Sequence, residues 1–320
     1  MIAEFLYNPP SHGNNAHCGT LLELKDGSLL AAWYSYPGNH DYEDARLVVA
    51  RRRAGDGQWQ PSTSLLEKFS SSAGNPLLFQ EGGSETLTLF FVLLKGNYWN
   101  HSVLHSCSSL DSGFSWSVPS VVWKDKGMMV RHPPLVLEDS SMLLPAYDEK
   151  SNRSLLLRGK GDSWHVDKVF EDIPLIQPVL IEDSSGRLTA FFRPADEPRR
   201  VWRAHSTDKG KRWSNPIQTL LPCPLSGVAA FSTPHCLCVV YNHSLERRVP
   251  LSLAASYDGG ISWSEPWNLD ETAQEVSYPS FIVGSDGMIH GVYTFNRRML
   301  KYISFSEEEL YERTGKDRAV

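Results

Sequence analysis

Much of what this chain could be is excluded by what it lacks. No apolar run is long enough to cross a bilayer: residues 86–94 (TLTLFFVLL) are of strand length, so no membrane partner is expected. Positive charge is not in excess, with 31 Lys and Arg against 37 Asp and Glu and a formal net charge of -6. That balance argues against nucleic acid as a partner, because neutralising phosphates needs a basic surface. Cysteine is scarce, and the five present (Cys18, Cys107, Cys223, Cys236 and Cys238) form an odd set without paired metal-ligand spacing. They read as reduced thiols, and neither a metal nor a cofactor is expected. The opening MIAEFLYNPP has no basic segment leading into an apolar one, so no export signal is expected and a cytoplasmic location is. Helical periodicity is also nearly missing. Only SEEELYERTGK near the C-terminus reads as a short helix, over about 306–316, with Ser306 as N-cap and Glu309 at the third helical position.

What is present instead is repetition. SSLDSGFSW from Ser108 returns as HSTDKGKRW from His205 and ASYDGGISW from Ala255. Each copy sets an Asp to bond backbone amides across a tight turn, a Gly for the positive φ that follows, and a Trp to pack the turn onto a sheet. A second periodicity runs beside it, in which a polar residue, often followed by proline, leads into an apolar run, a turn and another apolar run. These starts fall near His17, Asn75, Arg131, Gln177, Ser226 and Tyr278, at intervals of 46 to 58 residues. Short strands at even spacing with such a repeat length predict an all-β, six-bladed propeller of about four strands per blade. The segment before His17 is expected to lend a strand to the sixth blade, since closure removes an exposed edge.

The eight residues from the Ser to the Trp of each copy (109–116, 206–213 and 256–263) are the Asp-box, or bacterial neuraminidase repeat, and three copies on a six-unit all-β chain resemble the sialidase superfamily. RHPPLVLEDSSMLLPAYDE, LPCPLSGVAA, VVYNHS and YPSFIVGSDGMIHGVYTFNRR are similar to its sialidase-like, neuraminidase-labelled members. The resemblance runs from His17 to about Phe305 and implies one sialidase-type propeller domain over residues 1–320. In true exo-sialidases a triad of arginines binds the substrate carboxylate, a Tyr assisted by a Glu is the nucleophile, and an Asp on a first-blade loop is the acid/base. The place of the first arginine reads AHCGT here, so His17 stands in it.

Leading ends of inner strands, and the loops leaving their neighbours, face the mouth of a propeller channel. Arginine recurs at such places as Arg131, Arg193 and Arg297, and guanidinium groups grip a planar carboxylate through paired hydrogen bonds. Asn75, Gln177 and Asn242 are further candidates to bind substrate. For catalysis the candidates are Tyr278, His17, which titrates near neutral pH, and a carboxylic acid. Asp148 and Glu149 are adjacent and so face opposite ways, and Asp148 is taken as the inward one. In the polar loop GNHDYEDAR, Asp41 or Asp44 is expected to supply the first-blade acid, and Asp44 is carried forward with Asp148. The expected function is a glycoside hydrolase for an acidic or uronate-containing glycan. The alternatives are a lyase, with His17 or Tyr278 as base, and a non-catalytic glycan-binding propeller.

Overall fold

The computed structural model describes residues 1–10, 13–66, 71–161 and 163–315. Six antiparallel sheets follow one another along the chain, over residues 15–64, 73–123, 128–170, 175–222, 229–270 and 276–306. These are the six blades. The strand Ile2–Tyr7 pairs with Met299–Ser306 as the outermost strand of the sixth blade, so the two ends of the described chain close the ring. The amino group of Met1 reinforces the closure with an ion pair of 2.6 Å to Glu309. Glu309 lies in the one α-helix among the described residues, Glu307–Thr314, whose Ser306 cap accepts from the Glu309 amide. The expected helix end at residue 316 lies outside the described residues.

Six apolar clusters fill the protein, one at each contact between neighbouring blades. Alternate residues of one strand therefore go to different cores. In Leu29–Tyr36, Leu30, Ala32 and Tyr34 pack toward the second blade, while Leu29, Ala31 and Trp33 pack toward the sixth. Both faces being covered, these strands read as continuous apolar runs rather than alternating ones.

The inner strands share an irregularity that builds the channel mouth. In Asn15–Glu23, Ala73–Gln80, Leu175–Glu182 and Val276–Val283 the pairing slips by one residue, a β-bulge, at Cys18, Asn75, Gln177 and Tyr278. All four bulge residues have positive φ, between 44° and 55°, where a non-glycine side chain is uncommon and strained. Proline follows three of them (Pro76, Pro178, Pro279), which a bulge tolerates because the extra residue leaves the ladder. Opposite the bulges stand fully buried aromatics, Trp33, Phe91, Phe192 and Tyr293. The expected strand starts are thus bulges a few residues inside the strands, and in the first blade the matching position is Cys18, not His17. Two blades differ. The third has its inner strand split into Met128–Val130 and Leu135–Val136 around Arg131, because Pro133 and Pro134 cannot donate to a ladder. In the fifth, Ser226 precedes the strand Ala229–Ser232.

The three Asp-boxes sit on peripheral turns. Asp111 accepts from the Phe114 and Ser115 amides and the Ser115 hydroxyl, and the Ser109 hydroxyl donates to the carboxylate while accepting from the Gly113 amide of the turn. Asp208 and Asp258 repeat the arrangement. The tryptophans do not pack on their own blades alone. Trp116 joins a cluster containing Leu30 of the first blade, Trp213 meets Phe170 of the third, and Trp263 meets Phe191 of the fourth. Each box is a staple between its blade and the preceding one.

Candidate active site

The bulge at Tyr278 places its ring at the centre of a cationic cluster. Arg193 Nη1 donates to Tyr278 Oη at 3.2 Å. The guanidinium carbons of Arg131 and Arg248 lie 6.0 and 5.7 Å from the ring centroid, and the His17 ring packs against it at 4.4 Å. Four blades contribute to this contact shell besides the sixth, so no local segment could build it alone.

The arginines differ in what holds them. Arg131 is buried and reaches across the axis, where Nη2 donates to the carbonyls of Gly19 (2.9 Å), Tyr278 (2.8 Å) and Pro279 (3.3 Å). It thereby ties the third blade to the bulges of the first and sixth. Arg297 pairs with Asp41 at 2.7 Å, and Arg248 pairs with Glu275 at 3.3 Å while donating to the Leu225 carbonyl. Arg193 has no carboxylate in ion-pair contact among the described residues, and its buried Nε has no partner. Arg131 Nη1, Gln177 Oε1 and Ser226 Oγ are likewise buried without a partner. Such atoms are costly unless water or a ligand meets them.

His17 is buried, and Thr294 holds its ring in place. Thr294 Oγ1 accepts from the Cys18 amide at 3.2 Å and lies 3.0 Å from His17 Nδ1. Burial first, and then Arg297, Arg248, Arg131 and Arg193, push the His17 pKa well below its usual value. The group replacing the arginine of the resemblance is therefore uncharged.

The acids fall out differently from the expectation. Asp148 closes a turn, accepting from the Lys150 amide (2.9 Å) and the Ser151 hydroxyl (2.6 Å), and so faces away from the cluster. Its neighbour Glu149 is the inward carboxyl. Burial raises its pKa, with Arg193 opposing the shift and Asp148 and Asp41 adding to it. Asp44 is an exposed partner of Arg46 on the outer side of its loop. Asp41 is instead the first-blade acid at the centre, held by Arg297, by the Trp99 indole (3.1 Å) and by the Tyr34 hydroxyl (3.2 Å). Trp99 reaches it by lying over Gly74, where any Cβ would collide with the indole ring.

The remaining amides have structural partners. Asn75 donates to Tyr147 Oη at 3.2 Å and to the Val130 carbonyl. Asn242 spans from the fifth blade to the Pro250 and Val276 carbonyls. Sequence reasoning passed over Glu275, Trp99 and Tyr34 as parts of the cluster. Arg248, in the arginine pair of SLERRVP, reads from sequence mostly as part of a solvated loop, though one that could reach a ligand.

Comparison with known proteins agrees with this architecture. The BNR repeat-like domain family matches residues 27–291. A Hadza microbial sialidase superposes with a TM-score of 0.81 at 16% identity, covering 96% of this chain and 69% of that one. The leech intramolecular trans-sialidase, solved with 2,7-anhydro-Neu5Ac, gives 0.81 at 14% identity, covering 99% and 71%. A Dyadobacter fermentans protein of unknown function gives 0.78 at 17% identity, covering 94% and 96%. No curated protein sequence matches the chain. The matched span makes this chain a member of the BNR repeat-like domain family, and its six-bladed propeller has the same fold as the sialidases on which it superposes.

Proposed function

We propose that the chain is a glycosidase that binds an acidic sugar through its carboxylate at the Tyr278 cluster. The observation that carries this reading is Arg193, a guanidinium with an unpartnered buried Nε, set against Tyr278 Oη without a carboxylate of its own. An unmatched cation in a partly dehydrated mouth favours an anion there, because its own charge is poorly solvated. Arg248, 5.7 Å from the ring centroid, is a second guanidinium available for the same task. Tyr278 is the group placed to attack or to steer the anomeric carbon, and Arg131 fixes its backbone. Glu149, kept protonated more readily by burial, suits proton donation to the leaving oxygen, and Asp41 is the second carboxylate.

One observation favours a lyase as the second reading. Tyr278 Oη receives a hydrogen bond from a guanidinium, which suits a phenolate that removes a proton next to a carboxylate. A substrate screen separates the two. The protein is incubated with aryl glycosides of N-acetylneuraminic acid and of uronic acids, and with uronate oligosaccharides, while released sugar and ultraviolet absorbance are followed. A hydrolase releases sugar without absorbance, whereas a lyase leaves an absorbing unsaturated uronate. Turnover of neutral glycosides alone would overturn the acidic-sugar reading.

A further inference from the structure

We infer that the seam between the second and third blades, at the end of the propeller away from the Tyr278 cluster, is a separate binding site for a neutral sugar. Three other seams are closed by the tryptophan of an Asp-box: Trp116 between the first and second blades, Trp213 between the third and fourth, and Trp263 between the fourth and fifth. The third blade carries no box. Its two outer strands turn tightly, with Lys160 paired to Ser163, and Trp164 meets Phe90 of the second blade edge-on at 5.9 Å without a box turn beside it. A cavity of about 450 Å³ is left at this seam.

Hydroxyl groups and an aromatic ring line the cavity together. Thr88 and Phe90 alternate with Leu87 and Leu89, which pack into the core shared with the first blade, so Thr88 and Phe90 face the third. Ser108 and Ser106 stand directly opposite them on the neighbouring strand, and Thr86 extends the row. Neither the Thr86 nor the Thr88 hydroxyl has a hydrogen-bond partner among the described residues. Beside them is the half-buried Trp164, whose Nε1 already donates to the Gly161 carbonyl at 2.8 Å, leaving the indole to offer its apolar surface. No charged side chain lines the cavity among the described residues, so an ionised ligand would lose water there without gaining a counter-ion. A neutral pyranose fits this chemistry, with its C–H surface on the indole and its hydroxyls on the serine and threonine row. In the second blade the channel mouth lies at the Asn75 end of the inner strand, whereas Gln80 pairs with Leu87 at the other end, next to Thr86. The seam site is therefore independent of the cluster, and its role is to hold the protein on a glycan while the mouth stays free.

Ligand-observed NMR titration of the full chain tests this with three probes: methyl β-galactoside, methyl α-mannoside and methyl N-acetyl-β-glucosaminide. Wild type is compared with Thr88→Val, which exchanges the hydroxyl for a methyl group, with Trp164→Ala, and with Arg193→Ala at the mouth. The expected result is weak binding of at least one probe that falls roughly fivefold or more in Thr88→Val and in Trp164→Ala and is unchanged in Arg193→Ala. Should Trp164→Ala fail to fold, Ser106→Ala takes its place with the same expected loss. Failure of all three probes to bind wild type, full affinity in Thr88→Val, or loss of binding in Arg193→Ala would each overturn the seam site. The last result would place the sugar in the mouth instead. Because the seam and the mouth are varied separately, neither outcome at one decides the reading of the other.

Discussion

Arg131 and Arg193 are both guanidinium groups beside Tyr278, yet their bonding separates their roles. Three backbone carbonyls take up Arg131 Nη2, so its first duty is to hold the bulges of two other blades in place. Arg131→Ala should cost about 3 kcal/mol or more in denaturant unfolding, since it orphans buried carbonyls, and Arg131→Lys should restore little because an ammonium lacks the planar fork. His17 gives a pH prediction. Its pKa lies well below the ordinary histidine value through burial, so the folded state keeps it neutral where the unfolded chain would protonate it. The stability this confers is full above the unfolded value of about 6.5 and declines as pH falls below it. In catalysis, the pH–rate profiles of wild type and His17→Gln should have the same shape from about pH 5 to 8, which an enzyme titrating His17 in that range would not show. Arg131, Arg193 and Tyr278 were legible in the sequence because the repeat put them in matching places. Asp148 was misjudged for a local reason. Alternation along a strand says that it and Glu149 diverge, but the turn beginning at Asp148 decides which one turns inward.

At the level of single elements, the bulge and the Asp-box carry most of the architecture. The bulge was visible only as a polar residue before proline, and its register was off by one in the first blade, where Gly19 stands in the place of proline. No composition signal marks a positive φ at a cysteine. The box was fully legible as a turn, while its role between blades was not, because sequence does not reveal which neighbour a tryptophan meets. Asp258→Ala should lower stability by about 1 kcal/mol through lost turn hydrogen bonds, read as a shifted denaturation midpoint, and leave the kinetics of the central site unchanged. The Ser115 hydroxyl and amide hold the Asp111 carboxyl at about 2, and Arg212 holds Asp208 at about 2. Both values are below those of the unfolded chain, so this contribution is present above about pH 4 and is lost as pH falls toward 2. An acid unfolding curve that is unchanged by both Asp111→Asn and Asp208→Asn would contradict that assignment.

For the molecule as a whole, the central cluster exists only because the ring is closed. Tyr278 comes from the sixth blade, Arg131 from the third, Arg193 from the fourth, Arg248 from the fifth and His17 from the first, and the strand Ile2–Tyr7 seals the last blade. Removing residues 1–8 exposes the edge of Met299–Ser306 and should lower Tm by several degrees and promote association. A truncated protein with unchanged Tm would show that closure rests elsewhere. The six-blade count was readable from spacing alone, whereas the pairing of Arg297 with Asp41 and of Arg248 with Glu275 depends on loops whose paths the repeat does not encode.

The most direct test of the account is a matched pair of ligands. Binding of an acidic sugar and of its carboxamide analogue is measured by titration calorimetry on wild type and on Arg193→Ala. If Arg193 receives the carboxylate, the acid should lose roughly a hundredfold or more in affinity, the order of 3 kcal/mol expected when a desolvated charge pair is broken, and the carboxamide no more than a few-fold. Equal losses for the two ligands would contradict the claim that this cluster is a carboxylate site.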